Sequence, residues 1–234
     1  DYNSGAKVNL NVSRGWAWAQ KSRLWDIVTG PEHAALVNEQ WINSGIDNPA
    51  LNRNYTNRPF RPVSEGGRGL PEEQSTYDRI GDLFRTGRLE NYDLSLEGGT
   101  KTTKYYLGGS YSRQEADIHP AYYQRGSFKV NLDQKVNDKI TVGTSNSVSY
   151  SFRNEVRAGT GPQGGIFQAA LHPPTYLPKV NPDGTPARWA GFDNLQVLID
   201  EPDISSKSLR YIGNVFADAE ILPGLKFRSS WSVD

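Results

Sequence analysis

The sequence predicts an all-β chain, an antiparallel up-and-down section of a transmembrane β-barrel with short helices in its long loops. Two-residue alternation of apolar and polar side chains recurs in about seven runs. Most of those runs are about 10 to 14 residues long, enough for a tilted strand to cross a bilayer and longer than the usual soluble strand. The connections between the runs alternate between short and long.

In the first run, near residues 6–19, Val8, Leu10 and Val12 point away from Lys7, Asn9, Asn11 and Ser13, because successive strand side chains take opposite faces. The second, about 90–98, sets Tyr92, Leu94 and Leu96 against Asn91, Asp93, Ser95 and Glu97. The third, about 104–113, sets Tyr105, Leu107, Gly109 and Tyr111 against Tyr106, Gly108, Ser110 and Ser112. Phe128, Val130 and Leu132 mark one face of the fourth, about 122–135. The fifth, about 139–152, is the cleanest: Ile140, Val142, Val148, Tyr150 and Phe152 share one face, and the other is wholly small and polar. A sixth strand is predicted at about 209–221, and a seventh at about 225–234 carries Leu225, Phe227, Trp231 and Val233.

Short turns are expected at 99–103, 136–138 and 222–224, and longer links join the other pairs. Hairpin partners are antiparallel, so alternate connections share one end of the sheet and all the long links fall on one rim. Outer-membrane barrels have this asymmetry, with tight periplasmic turns and extended outer loops. Two outer loops are large, 20–89 and 153–208. Loops of that size are usually functional. The first is predicted to hold a helix over 31–43, with Pro31 in its first turn and Gly45 as terminator, and a second short helix over 77–84. The run 59–71 reads as extended loop, and a short helix is expected over 166–171 before Pro173 and Pro174.

Composition agrees with a membrane wall and excludes several other classes. The 234 residues balance 26 basic against 26 acidic side chains, so no field gathers nucleic acid. There is no cysteine, which removes disulfides, thiolate metal sites and cysteine nucleophiles, and only His33, His119 and His172 offer imidazole. No run approaches the roughly 18 apolar residues of a spanning helix. A mean hydropathy of −0.66 is compatible with strands that are greasy on one face only. The start at Asp1, without methionine or a signal-like segment, suggests a processed product or an excerpt of a longer chain.

The ordered series of these segments resembles the SusC/RagA-type TonB-dependent transporters. Residues 80–87 (IGDLFRTG), 91–99 (NYDLSLEGG) and 105–111 (YYLGGSY) resemble the opening of that family's barrel. Residues 123–133 (YQRGSFKVNLD) and the serine-rich run to Phe152 continue the likeness, and residues 5–13 (GAKVNLNVS) resemble the first barrel strand after the plug domain. The resemblance implies that 1–234 is the front part of a 22-stranded barrel wall in the outer membrane, without the plug. It also implies import of oligosaccharides or peptides, energised through a TonB complex and assisted by a SusD-like surface lipoprotein. No enzyme activity and no cofactor are implied, and the remaining contact is outer-membrane lipid.

Such transport needs aromatic faces and polar groups around the cargo, not covalent chemistry. Trp41, Phe60, Tyr176, Trp189 and Phe192, all in the two long loops, are the candidate cargo or lid contacts; loop packing is the plainer role for each. Trp16, Trp18 and Trp25 suit either an interfacial girdle or loop packing. Residues 65–69 (EGGRG) lack the spacing and lysine of a phosphate loop. Asp193, Asp200, Glu201 and Asp203 lack calcium-loop spacing and read as solvated charge, and no histidine has a partner at metal-ligand spacing. Two other classes compete: a soluble β-rich carbohydrate-binding module, and a glycoside hydrolase piece using a pair such as Glu155 and Asp193. Sandwich strands of about five or six residues would leave half of each run beyond the core, which weighs against the first.

Overall fold

Among the described residues, seven strands hydrogen-bond in chain order into a single antiparallel sheet: β1 (Lys7–Ala17), β2 (Gly87–Gly99), β3 (Thr103–Glu115), β4 (Tyr122–Lys135), β5 (Ile140–Glu155), β6 (Ile204–Leu222) and β7 (Leu225–Val233). The structure is a computed structural model describing residues 2–20, 24–47, 57–159, 163, 165–201 and 204–234. The all-β antiparallel meander predicted from alternation is the fold found. Strand length grows from 11 residues in β1 to 19 in β6.

Register turns the alternation into two chemically distinct surfaces. Across the sheet, Leu10, Leu94, Gly109, Phe128, Val148 and Tyr211 lie side by side on one face. One residue further along each strand, Asn9, Ser95, Gly108, Lys129, Ser147 and Ile212 form the matching row on the other. The second face is laced by side-chain hydrogen bonds. Asn11 donates to Asp93 (3.2 Å), Ser145 to Asn131 (2.7 Å) and Asn214 to Ser230 (2.7 Å), while Ser110 pairs with Ser127 (2.6 Å). On the apolar face the Asn146 carboxamide is fully engaged. Its oxygen accepts from Tyr211 Oη (2.6 Å) and its nitrogen donates to Thr144 Oγ1 (2.7 Å). A polar group facing hydrocarbon needs partners of this kind.

Some strands outrun their own pattern. β6 begins at Ile204, ahead of the alternating stretch, because Ser205 and Lys207 pair with Asn154 and Phe152 of β5. A neighbouring ladder supplies those hydrogen bonds regardless of what the side chains do. At the tight end, β6 and β7 turn through Pro223 and Gly224, with φ +83° at Gly224, a conformation that suits glycine.

Among the described residues the long links carry four helices: α1 (Gly30–Asn43), α2 (Arg79–Leu83), α3 (Ile166–Leu171) and α4 (Leu195–Asp200). α1 starts in a capping box, with Thr29 N–H donating to Glu32 Oε2 (2.8 Å) and Glu32 N–H to Thr29 Oγ1 (3.3 Å). That contact holds the Glu32 carboxyl below its usual pKa. Gly30 packs so closely on the next loop that an added Cβ would meet Ser75 O at 2.0 Å. α4 was not foreseen; its signal was Asn194, whose carboxamide oxygen accepts from the N–H groups of Gln196 (2.9 Å) and Val197 (3.2 Å). The run 59–71 contains one 3-10 turn, Val63–Glu65, and ends where a second, Pro71–Glu73, begins, in place of a fully extended loop.

Candidate functional site

The two long links meet at one rim and bury a common core. Ile80 and Leu83 of α2 pack with Ile166, Ala169 and Ala170 of α3 and with Leu195 of α4, flanked by Leu24, Ile27, Phe84 and Ile118. Polar contacts lock the same junction. Arg79, only 6% exposed, donates to Pro174 O (3.0 Å) and Leu177 O (2.6 Å). Burial pulls its pKa below the ordinary arginine value. Beside it Lys179 pairs with Asp82 (2.6 Å), and Tyr77 N–H donates to Thr175 O (2.8 Å).

His33 of α1 adds the last clasp. Its Nδ1 accepts from Thr175 N–H (3.2 Å), which requires the ring to be neutral there, and burial lowers its pKa from 6.5. Next to the same core Arg85 donates to Ala116 O (2.9 Å) and Ala121 O (2.6 Å), tying the end of the first link to the β3–β4 connection.

The structure divides the five candidate aromatics. Phe60 is 2% exposed and meets Tyr176 edge-on at 4.6 Å, and His33 meets the same ring edge-on at 5.3 Å. Asn38 fixes Phe60 through both of its backbone groups (2.7 and 3.0 Å). Phe60 is therefore positioned as a support, and Tyr176, its hydroxyl pKa raised by burial, is the half-buried ring above it. Trp189 and Phe192 bridge each other through their backbones at a tight turn, and Phe192 stacks on His172 at 4.6 Å. Trp41 sits half-buried in the last turn of α1. The arrangement thus makes two aromatic stations, His33–Tyr176–Phe60 and His172–Phe192. The histidine in each was missing from the sequence-level set, although its place in a long loop next to aromatics was a usable signal.

Other candidates have structural partners. Asp193 pairs with Arg157 (3.6 Å), Glu155 with Arg153 (3.0 Å), and Asp200 accepts from Gln196 (3.0 Å); Asp203 lies outside the described residues. Residues 65–69 wrap around Arg61, which donates to Glu65 O (3.0 Å) and Gly66 O (3.2 Å). Among the described residues no group of three or more histidines or carboxylates is placed to hold a metal. Trp16 projects on the apolar face at the loop-bearing end, the position of an interfacial girdle, and Trp18 just beyond β1 is exposed.

A bilayer-length antiparallel sheet, greasy on one face and polar on the other with all its long loops on one rim, is a section of an outer-membrane barrel wall. The comparisons with known proteins agree. No protein-family model matches the chain. TonB-dependent receptor P3 of Formosa agariphila is 27% identical over 157 residues, covering 64% of this chain and 16% of that protein. TonB-dependent receptor P26 of the same organism is 28% identical over 129 residues, covering 54% of this chain and 12% of that protein. The solved RagAB peptide importer in its closed-closed state superposes with TM-score 0.68 at 20% identity over 99% of this chain and 28% of that one. A second RagAB peptide transporter structure gives the same values. The resemblance read from the sequence, to TonB-dependent transporters of the RagA type, is borne out: the curated relatives are named TonB-dependent receptors and the RagAB structures share the fold. The chain spans under a third of the length of each of these proteins.

Proposed function

We propose that this chain forms part of the wall and outer mouth of a TonB-energised nutrient importer, working with a SusD-like surface lipoprotein that closes over the loop-bearing rim. The cargo is an oligosaccharide or a peptide. The observation that carries this reading is the interlocked pad made by the two long links at one end of a bilayer-length sheet. A rigid aromatic rim is what a lid needs to seat on and a polymer needs to slide past. Tyr176, Trp189, Phe192 and Trp41 are the cargo or lid contacts, and Phe60 acts by supporting Tyr176. Relatives named receptors and importers support transport without covalent chemistry, and no feature of the rim favours an enzyme.

Uptake of labelled oligosaccharide and of labelled oligopeptide, measured in cells expressing the intact parent or lacking it, tests the reading. One class of cargo is expected to depend on the parent and to stop when the proton gradient is collapsed. Tyr176→Ala with Trp189→Ala should then reduce uptake about tenfold while leaving barrel abundance unchanged. Uptake of both classes at the same rate without the parent would sink the proposal.

A further inference from the structure

The charged residues of the apolar face have an uneven distribution that transport does not explain. Register places Arg14, Glu90, Arg113, Gln124, Phe152 and Lys207 in one row, and Trp16 with Arg88, then Glu115, Tyr122, Asn154 and Ser205, in the row beyond it. Both rows lie at the loop-bearing end. Every charged side chain that the described strands send to this face falls in those two rows, as four cations and two carboxylates. At the tight-turn end the same face reads Thr103, Gln134, Val142, Ala217 and Ser229, with no charge.

The carboxylates are tucked under and the guanidiniums stand outside them. Glu115 has 12% of its side chain exposed beneath Arg88 (3.5 Å) and Arg113 (2.9 Å), and Arg88 is 67% exposed. Glu90 lies beneath Arg14 (3.8 Å), which is 62% exposed. Aromatic side chains hold the cations against the wall: Arg14 donates from Nε (2.9 Å) and Nη2 (2.5 Å) to Tyr92 Oη, while Arg113 lies over the Tyr122 ring (5.0 Å) and Lys207 over the Phe152 ring (5.9 Å). The surface shown to the membrane at this level is cationic, with planar guanidiniums whose donors suit phosphate oxygens in pairs.

We propose that this outward belt, centred on Arg14 and Arg88, binds the phosphate-bearing headgroup of an anionic lipid in the outer leaflet. The row below it, Val12, Tyr92, Tyr111 and Tyr150, lies where the acyl chains of such a lipid would begin. Charge complementarity selects the occupant, because a zwitterionic or neutral headgroup leaves the excess cations without counter-charge at a low-dielectric boundary. The inference uses only the outer-membrane placement of the wall, so its failure would leave the transport reading untouched.

The test is native mass spectrometry of the delipidated intact parent in detergent. It is titrated with phosphorylated lipid A, with lipid A stripped of its phosphates, and with inorganic phosphate as competitor. The phosphorylated lipid is expected to bind about tenfold more tightly than the stripped one, and Arg14→Gln with Arg88→Gln to remove that preference. The lysine pair Arg14→Lys with Arg88→Lys should keep most of it. Equal affinity of the wild-type protein for the two lipids overturns the proposal, and this comparison decides even where the glutamine variant does not assemble. Displacement of the lipid by an equal concentration of inorganic phosphate also overturns it, since the belt would then be a free-anion site.

Discussion

The sheet and the loop pad bury their apolar side chains by opposite means. Among the described residues the buried hydrophobic side chains are Ala34, Phe60, Ile80, Leu83, Ile166, Ala169, Ala170, Ala187 and Leu195, and all of them lie in the two long links. The strands leave theirs bare, with Leu10 70% and Trp231 74% exposed. The pad thus has a core of its own, whereas the wall relies on its surroundings: lipid on the greasy face and barrel interior on the polar one. An isolated sheet of this kind would expose a large apolar surface and two unpaired edges in water, neither of which soluble folds tolerate. The same numbers weigh against the soluble binding module, which would have to cover that face with a second layer.

The largest expected effect tests the wall. Leu94→Arg puts a charge on the outward face in its central rows and should destabilise the intact barrel by about 2–4 kcal/mol, whereas Ser95→Arg, one residue along and on the inward face, should cost under about 1 kcal/mol. Urea unfolding of the intact protein in lipid separates the two. Equal costs would mean that the faces are reversed or that neither meets lipid.

A smaller effect tests the pad. Arg79→Met keeps the volume but leaves the carbonyls of Pro174 and Leu177 without their donor, a loss of about 2–3 kcal/mol confined to the junction of the links. Hydrogen exchange should accelerate across α2 and around residues 174–178 with the strands unchanged. Acceleration throughout the sheet would show that pad and wall are one cooperative unit and would break the contrast drawn between them.

The smallest effect depends on pH. His33 is neutral in the fold and its pKa is lowered by burial, so the folded pad binds fewer protons than the unfolded loop. Its contribution is present above about pH 6.5, the unfolded value, and is lost as pH falls through the lower folded value. Exchange of the Thr175 amide should therefore quicken between neutral pH and pH 5 beyond the intrinsic pH trend, and His33→Gln should flatten that response. A response unchanged in the variant would assign it to another group.

Much of the wall was legible in the sequence because alternation acts locally. A strand with one greasy face writes its period into successive residues, so the seven runs, their antiparallel order and the tight turns at 136–138 and 222–224 could be read directly. α1 was equally plain from Pro31 and the capping residues around it. The pad was only half legible. The sequence showed that two long links share a rim and that they are rich in aromatics. It did not show that Phe60 would be buried beneath Tyr176, that His172 would stack on Phe192, or that Arg79 would reach across to Pro174.

The physical reason is range. Periodicity and capping are set by neighbours within a few residues, so composition and pattern determined the strand number, the two-faced chemistry and the membrane placement. The partners of Arg79 and His33 lie some ninety-five or more residues away along the chain, and the two adjacent rows that gather Arg14, Arg88, Arg113 and Lys207 exist only once the register is set. Long-range pairing decided which aromatics face outward and which cations stand together. It did so because packing and ladder hydrogen bonds join residues that share no local signal.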